Sequence, residues 1–244
     1  MPVPVRQKEA QTISANAKAV LVFAKPVRPG HVKTRLRGLL TAQEAAEVHL
    51  ACVKDTAAMV ASVGGYRKWL LAAGQFDSAR NLARQAQLSS RWRLGVQADR
   101  DLGERLACAF RSHFRAGVRK VVVVGTDTPW MDPQRIVRAF QLLDATDVVI
   151  GPTDDGGYYL IGARRPVPEM FRGIRWGTGE VFEQTVAALR KANASYRLLP
   201  RDFDLDRPED LHRAARLLRR RKIRSPALKR WIVNWEPTPG TWER

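Results

Sequence analysis

Residues 121–129 have the sequence VVVVGTDTP, and this stretch decides the fold. Consecutive valines without a polar interruption are typical of a short strand that is buried on both faces, as in the centre of a parallel sheet. Glycine and proline end such a strand abruptly, so Asp127 should lie in the loop after its carboxyl end. Ligands of open α/β sheets bind at that edge. Asp127 could hold a divalent cation against phosphate oxygens there, or it could cap the helix expected near Pro133.

The rest of the chain alternates between strand-like and helical patterns, which predicts a mostly parallel sheet of class α/β. We expect strands near residues 19–24, 67–72, 92–97, 119–124, 147–151, 158–163 and 195–199, and helices near 42–62, 77–87, 102–116, 133–144, 179–193 and 207–221. These elements predict one domain over residues 19–224, preceded by a flexible extension over 1–18 and followed by a basic, tryptophan-rich tail over 225–244.

Composition limits the functions that the chain can have. No apolar run approaches the ~20 residues of a membrane span, and residues 1–18 lack the apolar core of a secretory signal. Cys52 and Cys108 lie in expected helices beside alanine, so we interpret them as core residues of a cytoplasmic protein. The net charge of +18, with ten Lys or Arg and two Glu in residues 211–244, favours anionic ligands.

A basic loop follows the first expected strand. Residues 23–36 have the sequence FAKPVRPGHVKTRL, in which Lys25, Lys33 and Arg35 accompany fixed proline backbone. Free N–H groups and clustered cations suit a diphosphate or triphosphate, and the first β–α loop of such a sheet is a frequent phosphate site. The alternative is a solvated basic loop.

Two adjacent carboxylates and two glycines interrupt the apolar runs of residues 151–162, GPTDDGGYYLIG. Hairpin turn chemistry alone explains this pattern. In the functional interpretation, Gly156 and Gly157 allow an acceptor to approach the backbone, and Asp155, ahead of Asp154, orients or deprotonates an acceptor hydroxyl.

Two further motifs contain candidate ligands. In residues 201–210, RDFDLDRPED, Asp204 and Asp206 point to the same side of an extended segment and could share one cation. Asp206 also fits a helix N-cap, which leaves Asp204 as the functional carboxylate. At the start of another helix, Asp101 is either an N-cap or, with Gly103, part of a pocket for a base or ribose.

Together, the ordered segments FAKPVRPGHVKTRL, DLGERL, VVVVGTDTPW, GPTDDGGYYLIG and DFDLDRPEDL resemble the transferase-1, radical-SAM/selenodomain-associated family of glycosyltransferase-A-like proteins. The resemblance covers about residues 19–218 and implies a Rossmann-like α/β/α sandwich of the nucleotide-diphospho-sugar transferase type. It implies that Asp127 is the metal-binding acid after the fourth strand, although the usual Asp-X-Asp is here Asp127-Thr128-Pro129.

Several of these motifs also resemble nucleotidyltransferases that activate phosphorylated acceptors with GTP. By that likeness Lys25, Lys33 and Arg35 hold the phosphates, Asp127 with Asp204 or Asp206 holds magnesium, and Asp101 and Gly103 lie beside the nucleotide.

We therefore expect a cytoplasmic transferase that depends on Mg²⁺ or Mn²⁺ and uses a nucleotide-activated donor, in the first place a nucleotide sugar. The alternative is a nucleotidyltransferase that uses an NTP and releases pyrophosphate, and a second alternative is a non-catalytic protein that binds anionic surfaces. Trp231 and Trp235 could pack a short helix onto the body of the protein. The tail could otherwise attach the protein to an anionic membrane surface, whereas we expect no nucleic-acid partner.

Overall fold

The computed structural model describes residues 17–235, and the residues before and after this range lie outside the description. The strands are β1 (Lys18–Ala24), β2 (Arg67–Ala72), β3 (Arg93–Val96), β4 (Lys120–Val124), β5 (Val148–Pro152), β6 (Tyr158–Ala163) and β7 (Tyr196–Leu198). The helices are α1 (Ala42–Ala61), α2 (Phe76–Gln85), α3 (Leu102–Arg115), α4 (Gln134–Leu142), α5 (Val181–Lys191), α6 (Pro208–Arg219) and α7 (Pro226–Asn234), with short 3-10 turns at Thr34–Leu36 and Pro168–Phe171.

The strands form one sheet in the order β3-β2-β1-β4-β6-β5-β7. Strand β6 is antiparallel to both of its neighbours, and all other pairs are parallel. The Asp-Gly-Gly sequence thus connects a β-hairpin, and the hairpin's second strand is inserted between β4 and β5. The predicted α/β class and mostly parallel sheet are confirmed.

The valine strand lies at the centre of this sheet and separates two hydrophobic layers. Val122 and Val124 pack towards α1, α2 and α4, whereas Val121 and Val123 face α3 and α5. All four are 4% exposed or less, because helices cover both faces. This is the α/β/α sandwich that the resemblance implied, and its β1–β4 pairing brings the ends of two motif-bearing strands side by side.

Helix α7 packs against α1 through a buried carboxylate. Asp55 of α1 accepts hydrogen bonds from the backbone N–H groups of Ala227 (2.9 Å) and Leu228 (3.0 Å) and from the Ser225 hydroxyl (2.5 Å). A side chain of one helix therefore satisfies the first turn of the other. Residues 1–16 of the predicted extension and 236–244 of the predicted tail lie outside the described residues.

Trp231 of α7 and Trp235, the C-cap of this helix, are directed at the same neighbour, as one interpretation of the tail predicted. The indole N–H of Trp231 donates to Glu47 (3.1 Å) and that of Trp235 donates to Glu44 (2.9 Å). Their rings stack with centroids 5.3 Å apart. Among the described residues, no helix combines the length and the apolar character that a membrane crossing requires.

Candidate active site

A cavity of about 350 Å³ opens at the carboxyl ends of β1 and β4. This is the edge at which the sequence placed Asp127, and Asp127 lines it together with Lys25, Lys33 and Asp206. The remaining wall is mostly apolar or uncharged and includes Phe23, Ala24, Val32, His49, Gln97, Leu102, Arg105, Leu106, Thr126, Tyr158 and Tyr159. The cavity therefore combines charged side chains with surfaces suited to a flat, weakly polar group.

Backbone pairing assembles the three predicted motifs around this cavity. The amide of Leu205 donates to the carbonyl of Asp127 (2.7 Å), which holds the acidic segment against the loop after β4. The amide of Asp154 donates to the carbonyl of Asp202 (2.9 Å), which holds the same segment against the hairpin. The segment around Asp204 thus connects the end of β4 with the β5–β6 turn.

Lys33 and Asp127 form the central ion pair of the cavity. The ammonium of Lys33 donates to the carboxylate of Asp127 and to the carbonyl oxygen of Leu205. The Lys33 side chain is 3% exposed, whereas that of Asp127 is 54% exposed. Lys33 has a left-handed backbone with φ of 48°, which is uncommon for a residue with a side chain. The loop is therefore bent so that its lysine points inward.

The ion pair and the nearby acids shift each other's pKa values. Burial alone would raise the pKa of Asp127, but the charge and hydrogen bond of Lys33 outweigh burial and lower it. Burial would lower the pKa of Lys33, and the charge of Asp127 reverses this, so the pKa is raised. Both groups are charged at neutral pH.

Asp204 is shifted in the opposite direction. Burial, followed by repulsion from Asp155, Asp127 and Asp206, raises the pKa of Asp204 to about 7. These acids are therefore close enough to repel each other, and Asp204 is the member that retains a proton most readily.

The predicted metal ligands have suitable chemistry, but they are not arranged as a metal site. Within residues 17–235 no three His, Cys, Asp or Glu side chains are grouped as a cation site. The Asp127 carboxylate is already paired with Lys33, and the Asp206 carboxylate accepts a hydrogen bond from Arg35 at 2.6 Å. Oxygen donors that repel one another fit Mg²⁺ or Mn²⁺, which prefer carboxylates. An ion bound here would have to take the place of the Lys33 and Arg35 cations.

Asp206 does not cap helix α6, contrary to the prediction. The N-cap is Arg207, and Asp210 accepts from the amides of Asp206 (3.1 Å) and Arg207 (2.7 Å). The Asp206 carboxylate is free of that local role because Asp210, one turn into the helix, reaches back to the helix start. It faces the cavity and Arg35 instead.

Asp101 and Gly103 have local structural roles. The Asp101 carboxylate accepts from the amide of Glu104 (2.9 Å), which makes it the N-cap of α3. Gly103 is buried against Trp176, since a Cβ built on it would lie 2.4 Å from the indole nitrogen. Neither lines the cavity, whereas their neighbours Leu102 and Arg105 do. Capping and close packing thus explain this motif without a ligand.

The hairpin turn holds Asp155 in one orientation. A single carboxylate oxygen of Asp155 accepts from the Thr153 hydroxyl (2.5 Å) and from the amide of Gly157 (2.9 Å). Gly156 has φ of 85°, and a Cβ on it would lie 1.9 Å from the carbonyl oxygen of Gly179. The close approach at Gly156 is therefore made by the protein's own backbone.

Asp154 pairs with helix α6. Its carboxylate accepts from Arg213 at 2.9 Å, and both side chains are 46% exposed. Asp202 is likewise engaged, by Trp130 (3.1 Å) and Arg135 (2.6 Å). These two acids fix the position of the loops, whereas Asp155 and Asp204 form no salt bridge within residues 17–235.

Three further cavity residues were not predicted: His49 and Gln97 lie outside the quoted motifs, and Arg105 lies within DLGERL without having been singled out. Gln97 follows β3, and its amide donates to the carbonyls of Leu71 (2.7 Å) and Ala24 (3.1 Å), so its own oxygen remains as an acceptor. His49 of α1 hydrogen-bonds the Lys25 carbonyl through Nε2 (2.9 Å), and burial lowers its pKa. Arg105 comes from α3. The one sequence signal for Gln97 is its position at the carboxyl end of β3, because the carboxyl ends of parallel strands lie at the edge where the cavity opens.

Comparison with known proteins decides the family of the chain. Residues 41–178 match the family described as an uncharacterized protein conserved in bacteria (DUF2064). The chain belongs to this family. No curated protein matches it.

Among solved structures, the family member is similar to a candidate nucleotide-diphospho-sugar transferase from Desulfovibrio desulfuricans G20, at 32% identity over 88% of this chain and 94% of that chain, with a TM-score of 0.80. It also resembles 4-diphosphocytidyl-2C-methyl-D-erythritol synthase from Anaerococcus prevotii, at 10% identity over 85% and 98%, with a TM-score of 0.58. The manganese complex of Rv0371c from Mycobacterium tuberculosis is 17% identical over 82% and 98%, with a TM-score of 0.53. The last two likenesses establish the shared fold.

Proposed function

We propose that this protein is a metal-dependent transferase that binds a nucleotide-activated donor, a nucleotide sugar, in the cavity at the ends of β1 and β4. One observation carries the proposal: Lys25, Lys33 and Asp127 share a cavity with an uncharged wall formed by Gln97 and Leu102. A nucleoside diphosphate combines a flat base with two anionic phosphates and needs both surfaces. The 32% identical relative, a candidate nucleotide-diphospho-sugar transferase, supports the donor class.

In this proposal the basic loop holds the diphosphate. Lys25 is exposed, lines the cavity and forms no salt bridge with another described residue, so it can meet a phosphate as a point charge. Arg35 would turn from Asp206 to the phosphates and supply bidentate geometry. Lys33 would exchange part of its contact with Asp127 for a phosphate oxygen, which keeps its buried ammonium neutralised.

Asp127, Asp204 and Asp206 would hold Mg²⁺ or Mn²⁺. When bound, such an ion neutralises the diphosphate as it leaves. The manganese complex of Rv0371c, which shares the fold, is consistent with this assignment. The raised pKa of Asp204, caused by burial and then by the neighbouring acids, supports it as well, because a cation would relieve the repulsion among these carboxylates.

The acceptor would meet the hairpin turn. Asp155 keeps one carboxylate oxygen on Thr153 and Gly157, which leaves its other oxygen to accept a hydrogen bond from an acceptor hydroxyl. Orientation or proton removal by that oxygen is the catalytic role that we assign to Asp155. Asp154 would support the turn through Arg213 rather than touch the acceptor.

A nucleotidyltransferase is the second candidate, and one feature of the site favours it. Thr128 stands where an Asp-X-Asp motif has its middle residue, and Pro129 takes the place of the second acid. Thr128 is buried, and its hydroxyl lies 3.4 Å from the Phe203 carbonyl. In this alternative an acceptor phosphate attacks the α-phosphorus of an NTP and pyrophosphate leaves.

A non-catalytic anion-binding protein is a third candidate. The radical-SAM association and the cytoplasmic location remain predictions from the sequence.

The first experiment is a thermal-shift panel of NTPs and nucleotide sugars, each with and without Mn²⁺. A ligand at a hundredfold excess over its dissociation constant stabilises the fold by about 2.7 kcal/mol. A metal-dependent shift with one nucleotide sugar supports the proposal, and a shift with one NTP supports the alternative. The leaving group, a nucleoside diphosphate or pyrophosphate, then separates the two reactions by ³¹P NMR.

A variant pair makes the binding test specific. Lys25→Gln removes an exposed cavity cation, and Arg91→Gln removes an exposed cation that does not line the cavity. We expect Lys25→Gln to weaken nucleotide binding about tenfold or more, as loss of a charge-assisted hydrogen bond does, and Arg91→Gln to leave it unchanged. Equal effects in both variants would show that net charge, and not this cavity, attracts the nucleotide.

A further inference from the structure

Residues 211–235, which comprise most of α6, the turn after it and α7, carry a charge equal to half of the protein's net charge. Residues 211–235 contain nine Lys or Arg and neither Asp nor Glu, against a net charge of +18 for the whole chain. These cations are Arg213, Arg216, Arg219, Arg220, Arg221, Lys222, Arg224, Lys229 and Arg230, and all of them are exposed. The candidate active site uses only Arg213, through its pair with Asp154.

Helices α6 and α7 bring part of this charge to one groove. The groove has a volume of about 310 Å³, with Ala215, Leu218 and Ile232 as apolar lining and Arg219 and Lys229 from the two helices beside them. Val233 also lines it and is 73% exposed, the highest exposure of the large hydrophobic residues described. Apolar and cationic side chains therefore share one surface.

A tight turn adds three more cations at the end of α6. Arg220 is the C-cap of α6, and Arg221 has a left-handed backbone with φ of 52°. The amide of Lys222 closes the turn on the carbonyl of Leu217 (2.9 Å). Consecutive basic residues are thus fixed at one end of the helix pair, although their mutual repulsion would favour separation.

We propose that this α6–α7 surface, defined by Arg219 to Arg224 with Lys229 and Val233, docks on an anionic lipid bilayer. Juxtaposed cations and an exposed apolar side chain are complementary to anionic headgroups above acyl chains. The tryptophans are not the anchor, because Trp231 and Trp235 bind Glu47 and Glu44 of α1. This inference stands independently of the proposed transferase reaction.

The surface suits a bilayer better than a nucleic acid. Binding of single strands relies on aromatic faces that are open to bases. Trp231 and Trp235 instead stack on each other at 5.3 Å and are tied to α1, so they offer no such platform. Val233 adds an apolar contact that a phosphate backbone does not use.

Docking would leave the cavity accessible. Helix α6 begins two residues after Asp206, which lines the cavity, and it runs over Pro208–Arg219 to the basic turn. At a rise of about 1.5 Å per residue, the two ends of the helix are roughly 17 Å apart. The basic turn therefore lies at the end of α6 remote from the cavity.

The test is cosedimentation of the full chain with vesicles of phosphatidylcholine, with and without phosphatidylglycerol, at about 0.1 M salt. Arg220→Gln/Lys222→Gln/Lys229→Gln removes three cations from the surface, and Arg91→Gln/Arg111→Gln/Arg115→Gln removes three exposed cations elsewhere. Because each basic residue near an anionic membrane changes affinity roughly fivefold, we expect the first variant to bind about a hundredfold more weakly. The matched variant should bind nearly as the wild type does.

Val233→Ser distinguishes a bilayer from a general polyanion. The proposal predicts several-fold weaker vesicle binding for this variant, with unchanged binding to single-stranded RNA. The inference is overturned if the wild type does not bind phosphatidylglycerol vesicles, or if both triple variants weaken binding equally. It is also overturned if RNA binds more tightly than the vesicles and Val233→Ser has no effect on either.

Discussion

Replacing Asp127 with asparagine should destabilise the fold more than replacing its partner Lys33 with methionine. The Lys33 side chain is 3% exposed, so Asp127→Asn leaves a buried charge that keeps the Leu205 carbonyl as its acceptor. Breaking a buried pair from one side costs roughly 3–5 kcal/mol, and the retained carbonyl places our expectation at about 3 kcal/mol. Lys33→Met leaves a carboxylate that is 54% exposed and can be hydrated, for a loss of about 1 kcal/mol.

The assay is urea unfolding at neutral pH followed by tryptophan fluorescence. In the Lys33→Met/Asp127→Asn double variant no buried charge remains, so its free energy of unfolding should be close to that of Lys33→Met alone. The coupling between the two sites is then about 3 kcal/mol, as expected for residues in contact. An Asp127→Asn variant as stable as the wild type, or additive losses in the double variant, would refute this description of the pair. The result also determines whether lost nucleotide binding in Asp127→Asn reflects the site or the fold.

Three further predictions concern the framework of the site. Asp55→Ala leaves the Leu228 amide and its neighbour without their acceptor and should lower the free energy of unfolding by about 3 kcal/mol, or the melting temperature by roughly 6–12 °C, measured by calorimetry. The Arg165 hydrogen bonds hold the pKa of Asp147 below its usual range, so this carboxylate stabilises the fold above about pH 5 and loses that contribution on acidification. In Asp147→Asn the free energy of unfolding should therefore fall less steeply as the pH is lowered below about 5. Gly156→Ala should destabilise by about 2 kcal/mol or more in urea unfolding, because both φ and the nearby carbonyl oppose a side chain, whereas Gly64→Ala, with open space around it, should be nearly neutral.

The strands were predictable because local sequence and global fold agree there. The run Val121–Val124 is apolar at every position because helices cover both faces of β4. An unbroken apolar run of this length is typical of a central strand, so the sequence alone identifies it. The Asp-Gly-Gly turn likewise predicted a hairpin. Its second strand, however, is inserted between β4 and β5, and that choice depends on partners distant in the sequence. No local pattern in residues 158–163 carries that information.

The sequence predicts which charged residues form the site, but it does not predict which of them contact each other. Lys33 and Asp127 meet because β1 and β4 are neighbours, which their positions at strand ends suggested. Asp206 was assigned to a helix cap because the local sequence fits one equally well, and only the three-dimensional contact with Arg35 distinguishes the two roles. Asp101 shows the converse, since a residue inside a family-like motif turned out to be the local cap of α3.

A single pair therefore connects the stability of this protein with the chemistry that we propose for it. Lys33 neutralises Asp127, and within residues 17–235 its buried ammonium forms a salt bridge with no other carboxylate. A ligand that brings both phosphate and a divalent cation supplies a new partner to each residue at once, whereas either component alone leaves one of them unmatched. Joint binding of metal and nucleotide should thus be favoured over separate binding of each. The geometry of one ion pair would then account for a metal-dependent nucleotide site that is not assembled as a metal site beforehand.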